Sequence, residues 1–161
     1  MELDWPSWQV WWSDEREVSP EHPDSNERMA REALLSRVEI PESQIHALRS
    51  ADVPLPDSFE LVLLGVGPDG HTASLYPGHD EELADPGPLV SVPVPGLEPL
   101  HPRITFALAY INAQPLVALI VGGEEKREIV GRILAGDESL PAARVSARET
   151  VLLTDEAGAP R

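Results

Sequence analysis

Leu61-Val62-Leu63-Leu64-Gly65-Val66-Gly67-Pro68-Asp69-Gly70-His71-Thr72-Ala73-Ser74 is the stretch on which the fold turns. The apolar run Phe59 to Leu64, broken only by Glu60, reads as a strand buried on both faces. Glycines end it, and the spacing predicts a helix start after His71. A strand passing through a glycine-rich turn into a helix is the unit of an open α/β sheet, whose ligands bind at the C-terminal strand edge. The same alternation continues outward. On the N-terminal side, Gln44 to Leu48 reads as a short strand. Ser25 to Val38 reads as a helix, with Asp24 or Ser25 as cap and Ala30, Leu34 and Val38 at helical spacing. Before it, Trp8, Val10 and Trp12 share one face of a strand and Trp11 takes the other. On the C-terminal side, Leu89–Val94, Ile104–Ala109, Leu116–Val121 and Thr150–Thr154 read as strands. Glu124–Leu134 reads as a helix burying Ile129, Val130 and Ile133. Strands alternating with helices predict an α/β fold with a mostly parallel sheet and helices on both faces, organised as one domain over 1–161.

Composition narrows the function. With 12 basic against 28 acidic residues the net charge is −16, which excludes a general positive field for nucleic acid or an anionic membrane. All the basic residues but one are Arg, and the exception is Lys126. The 17 prolines, roughly twice the average usage, argue against an all-helical bundle. Cysteine is absent, which removes disulfides, thiolate catalysis and Cys-based zinc or iron–sulfur sites. The start, Met-Glu-Leu-Asp-Trp, has acid where a signal peptide needs base, and no apolar run suits a membrane span, so a cytoplasmic protein is expected.

Four clusters carry candidate chemistry. Gly65, Gly67 and Gly70 formally match G-x-G-x-x-G, but Pro68 removes a donor from the phosphate-cradling turn. The helix expected after it is also short, and Asp85 lies in a Pro-Gly loop, so a dinucleotide site is disfavoured. The turn offers instead Asp69 and His71, an orienting acid and a general base, at a predicted helix mouth with donors for an anion. A capping Asp beside a surface His is the plainer alternative. Arg16, just after the Trp-rich strand, and Arg103, opening the Ile104 strand, are candidate anion anchors. Lys126 opposes the helix dipole in the first turn of its helix, a placement that suits phosphate neutralisation. The five histidines show no metal-ligand spacing such as H-E-x-x-H, so no metal is predicted.

Asp14-Glu15-Arg16, Ser25-Asn26, Ile40-Pro41 with Gln44-Ile45-His46, the whole run Gly65 to Gly78, Pro102-Arg103-Ile104-Thr105 and Gly123…Lys126 together resemble the 6-phosphogluconolactonase family, in the family's order. Sugar-phosphate isomerases and deaminases share the Asp-Gly-His core, but their continuation resembles Ile-Ala-Phe-Asn-Glu, whereas this chain reads Thr72-Ala73-Ser74-Leu75-Tyr76. The resemblance implies a three-layer Rossmann-like fold and hydrolysis of 6-phospho-glucono-δ-lactone to 6-phosphogluconate in the oxidative pentose phosphate pathway, with no cofactor. It implies His71 as the base and Asp69 as its polar support. Arg16, Arg103, Lys126, Gly67 and Gly70 would gather the phosphorylated substrate. Nothing here matches the family's N-terminal strand and Gly-Gly-Ser-Thr-Pro-like loop, and the segment between His46 and Phe59 is short. The expectation is therefore a domain lacking its first strands, with exposed apolar surface and an unpaired edge. An isomerase or deaminase, or a non-catalytic remnant, is the alternative.

Overall fold

The structure, a computed structural model, describes residues 3–160. Among the described residues, eight strands form three small sheets. In the first, β1 (Val10–Trp11) pairs in parallel with β3 (Ile45–His46). In the second, β2 (Asp14–Arg16) and β5 (Leu89–Val92) flank β6 (Arg103–Phe106), and both pairings are antiparallel. In the third, β7 (Leu116–Ile120) lies between β4 (Val62–Gly65) and β8 (Glu149–Leu153), all parallel. The α/β architecture with parallel strands is as the sequence indicates. The antiparallel sheet is the addition, because the Pro-rich connections around β5 let it return beside β6 without a crossover helix.

Four α-helices accompany the strands: α1 (Asn26–Ala33), α2 (Asp80–Ala84), α3 (Leu108–Asn112) and α4 (Arg127–Leu134). Ser25 caps α1, its hydroxyl accepting from the Arg28 amide at 3.1 Å. The helix ends well before Val38, and Leu35–Arg37 continues as a tighter 3-10 turn. Glu124–Lys126 is likewise a 3-10 turn leading into α4, which buries Ile129 and Val130. The apolar run read as one strand over Ile104–Ala109 splits, since its end winds into α3. Trp8 is 42% exposed, so the predicted Trp8–Val10–Trp12 face contracts to a two-residue strand with Trp12 alone of the three buried. Among the described residues, no helix is long and apolar enough to cross a membrane.

Two clusters form the core. The larger packs the inner face of the parallel sheet, including Val62, Leu64, Val117 and Leu119, against α3 and α4 through Leu108, Ile111, Ile129 and Val130. The smaller gathers Trp12, Leu35, Ile40, Leu48 and Ile104. Strand β6 joins them, because Ile104 belongs to the second cluster and Phe106 to the first. The outer face of the parallel sheet is another matter. Leu61, Leu63, Ile120 and Leu153 all stand exposed, and β4 is an edge strand. The open edge and exposed apolar surface are as the resemblance implied, but the reading of Phe59–Leu64 as a strand buried on both faces, in a sheet with helices on both faces, is corrected: Leu61 and Leu63 alternate out of the core.

Candidate active site

The site begins where β4 ends. The chain leaves Gly65 and folds back on itself, with the Gly67 amide donating to the His71 carbonyl at 2.8 Å and the Gly70 amide to the Gly67 carbonyl at 3.1 Å. Both glycine N–H groups are thus spent within the turn, and what the two positions give is room and conformation. Gly70 has φ +85°, in the left-handed region. A side chain on Gly67 would occupy the space of the His71 ring.

Asp69 carries His71. Its Oδ1 accepts from the His71 backbone amide at 3.1 Å and lies 2.5 Å from the ring Nδ1. The backbone amide and the ring Nδ1 of His71 are thus both held by one carboxylate oxygen. The helix expected after His71 is not formed. Instead Thr72 and Leu75 exchange backbone hydrogen bonds, the Thr72 hydroxyl donates to the Gly65 carbonyl at 2.9 Å, and Ala73 takes φ +49°. A tight knot replaces the helix, because the Thr72 hydroxyl and the paired amides satisfy the donors a helix would have aligned. The predicted helix-mouth anion site is accordingly absent from this turn, and the next helix is α2, beginning at Asp80.

Lys126 reaches the same turn from the Gly122-Gly123 loop after β7, its Nζ donating to the Val66 carbonyl at 2.8 Å. Arg16 and Arg103 come from the antiparallel sheet, where they are direct cross-strand partners. Residues Asp14, Arg16, Arg103 and Thr105 share one face of that sheet by their alternation along β2 and β6. Arg16 Nη1 donates to the Asp24 carbonyl and to Asn26 Oδ1, both at 2.8 Å. Arg103 Nη2 donates to the Pro99 carbonyl at 2.9 Å. In each arginine the Nε is buried and has no partner among the described residues. Two unsatisfied guanidinium donors side by side are costly unless a ligand oxygen answers them.

Tyr76 connects the two halves. Its ring centre is 4.9 Å from that of His71, and the Arg103 guanidinium carbon lies 6.0 Å from it. Burial raises the Tyr76 hydroxyl above its ordinary pKa, so it stays neutral at neutral pH. Ser74 supports the junction from below, accepting nothing from solvent: its amide donates to the Thr105 hydroxyl at 3.1 Å and its hydroxyl to Asp14 at 2.8 Å. Burial also pushes the Asp14 carboxyl up, against the opposing pull of the Ser74 hydroxyl and of Arg16 and Arg103. Asp14, Ser74, Tyr76 and Asn26 are parts of the site that reasoning from the sequence did not single out as site residues. The period-2 spacing of Asp14 and Arg16 in a strand was the available signal for the first.

Glu15 points the other way. Its carboxylate accepts from the Asn26 and Glu27 amides, both at 2.7 Å, and from the Ser25 hydroxyl at 3.1 Å. A buried anion on the first turn of α1 is worth about 1–2 kcal/mol, and it locks the strand carrying Arg16 to that helix.

Known proteins resemble the chain over most of its length. The family model described as glucosamine-6-phosphate isomerases/6-phosphogluconolactonase matches residues 1–154. A 6-phosphogluconolactonase of Nostoc sp. is 41% identical over 154 residues, covering 83% of this chain and 62% of the relative. One of Synechocystis sp. is 40% identical with the same coverage. This chain thus spans about three fifths of the length of those relatives. Among solved structures, 6-phosphogluconolactonase from Thermotoga maritima superposes with a TM-score of 0.82 at 30% identity, covering 96% of this chain and 75% of that one.

Proposed function

Since the chain belongs to the glucosamine-6-phosphate isomerase/6-phosphogluconolactonase family, we propose that it hydrolyses 6-phospho-D-glucono-1,5-lactone to 6-phosphogluconate. The observation that carries this reading is the meeting, across Tyr76, of an Asp-held imidazole and two arginines with unanswered donors. An imidazole with its Nδ1 occupied is a base at Nε2. Paired guanidiniums recognise phosphate or carboxylate. A phosphorylated lactone asks for both.

In the proposed reaction, Nε2 of His71 takes a proton from water as its oxygen adds to the lactone carbonyl. The tetrahedral adduct collapses by breaking the bond between C1 and the ring oxygen, and His71 returns the proton to that oxygen. The new carboxylic acid then ionises. Asp69 holds the ring's orientation and balances the transient imidazolium. Arg16, Arg103 and Lys126 bind the anionic substrate, and Gly67 and Gly70 shape the turn beneath it. A lactone is already an activated ester, so positioned acid–base help of about 10²–10⁴-fold is a sufficient chemical contribution. A phosphorylated substrate and the absence, among the described residues, of a helix long and apolar enough to cross a membrane support a cytoplasmic location.

The test is an assay of the purified chain for lactone loss above the spontaneous rate. Acceleration that falls to background in His71→Ala is the expected result. Full retention in that variant, or no acceleration by the parent chain, overturns the proposal. Turnover of glucosamine 6-phosphate in its place would favour the isomerase/deaminase branch of the family.

A further inference from the structure

Histidine spacing predicts no metal, yet the fold gathers ligands that lie far apart in the chain. His22 and Asp24 lie on the loop between β2 and α1, and His101 lies 77 positions beyond Asp24, just ahead of β6. His101 Nε2 is 3.0 Å from Asp24 Oδ2, and His22 Nδ1 is 3.7 Å from the same oxygen. The two imidazole rings cross almost at right angles with centres 5.0 Å apart. One ligand atom from each of the three residues lies within 4.8 Å of the other two. All three side chains are about one third exposed, so an ion can enter and water can complete its sphere.

We propose that His22, Asp24 and His101 bind one divalent transition cation of the zinc class. Two imidazoles and one carboxylate with an open fourth position are a donor set that suits zinc, cobalt or nickel far better than magnesium or calcium, which take oxygen ligands. An ion about 2.0–2.2 Å from each ligand atom needs those atoms about 3.3 Å apart in a tetrahedral sphere, which side-chain rotation reaches from present separations of no more than 4.8 Å. The Asp24 amide now donates to His22 Nδ1 at 3.1 Å, and coordination through that nitrogen exchanges this bond for the metal.

Position gives the ion a consequence. It would staple the loop leaving β2 to the loop entering β6, the two strands that present Arg16 and Arg103. Asp24 also accepts Arg16 Nη1 through its backbone carbonyl, so the residue that holds the cation also positions one anion-binding arginine. The site is separate from His71 and Asp69, and its existence does not depend on the lactonase reading.

The experiment uses the full, tag-free chain of 161 residues, stripped with chelator and titrated with Co²⁺. Visible ligand-field bands saturating at one ion per chain, displaced by Zn²⁺ and unaffected by Mg²⁺, are expected. Asp24→Asn and His101→Gln should each weaken binding at least ~10-fold, in proportion to the loss of a ligand. His46→Ala and His79→Ala should leave it unchanged. Melting curves without metal show whether each variant is folded, and with either ligand variant folded the comparison stands. Absence of saturable bands, or equal binding in His101→Gln and the parent chain, overturns the proposal.

Discussion

Gly67 is where a single methyl group would displace the proposed base. A side chain there collides with the His71 ring, while the backbone turn itself is held by other bonds. Gly67→Ala is therefore expected to keep the fold and lower the lactone-hydrolysis rate by about 10²-fold or more, the scale of loss when a reacting group is misplaced by an ångström. Steady-state kinetics beside a thermal melt check this, and a variant with normal activity would contradict it. Asp14 offers a test through pH. Because burial raises its pKa in the fold, its stabilising form is the neutral one. That contribution is complete below the carboxyl's unfolded value and is lost as pH rises through the folded one. Asp14→Asn should thus gain stability relative to the parent chain as pH increases from acid to neutral, measured by urea midpoints across that range. A growing deficit instead would show that pairing with the arginines outweighs burial.

At the level of elements, the parallel sheet has two unlike faces. Val62 and Leu64 lie in the core, whereas Leu61, Leu63, Ile120 and Leu153 face outward uncovered. Substituting Leu63 by Glu is expected to change stability by no more than about 0.5 kcal/mol and to reduce binding of a hydrophobic dye. A large loss of stability would mean that the face is covered in solution. Much of this level was legible beforehand. Phe59–Leu64 and Leu116–Val121 announced themselves as strands, because apolar runs bounded by glycine have few other uses. The knot at Thr72–Leu75 did not, since its hydroxyl-to-carbonyl bond to Gly65 is a tertiary choice that propensity does not encode. The chemistry of His71, Asp69 and the cations was readable as residue types. Their junction at Tyr76 was not, because it depends on where the antiparallel sheet lies against the β4 turn.

For the whole molecule, β6 ties together two cores that local sequence gives no reason to couple. The four tryptophans all lie within the first twelve residues, close to the smaller cluster, so fluorescence reports that side and circular dichroism reports the helices and strands throughout. The two unfolding transitions should coincide. Ile104→Ala, which empties part of the smaller cluster, should lower both midpoints together, at a cost of about 2–5 kcal/mol. A fluorescence change that precedes the other would reveal two separately melting units.

The net charge of −16 also bears on how the proposed turnover would end. Opening the proposed lactone creates a second anionic group, so the product leaves with one more negative charge than the substrate brought. In the proposed site Arg16, Arg103 and Lys126 would hold it only at contact range. Beyond that, an acidic exterior repels the product more strongly than the substrate, a bias that extends about one Debye length, ~8 Å at physiological salt. The molecule's overall acidity would thus act as a one-way slope for the proposed product: retention is local, and escape is favoured everywhere else.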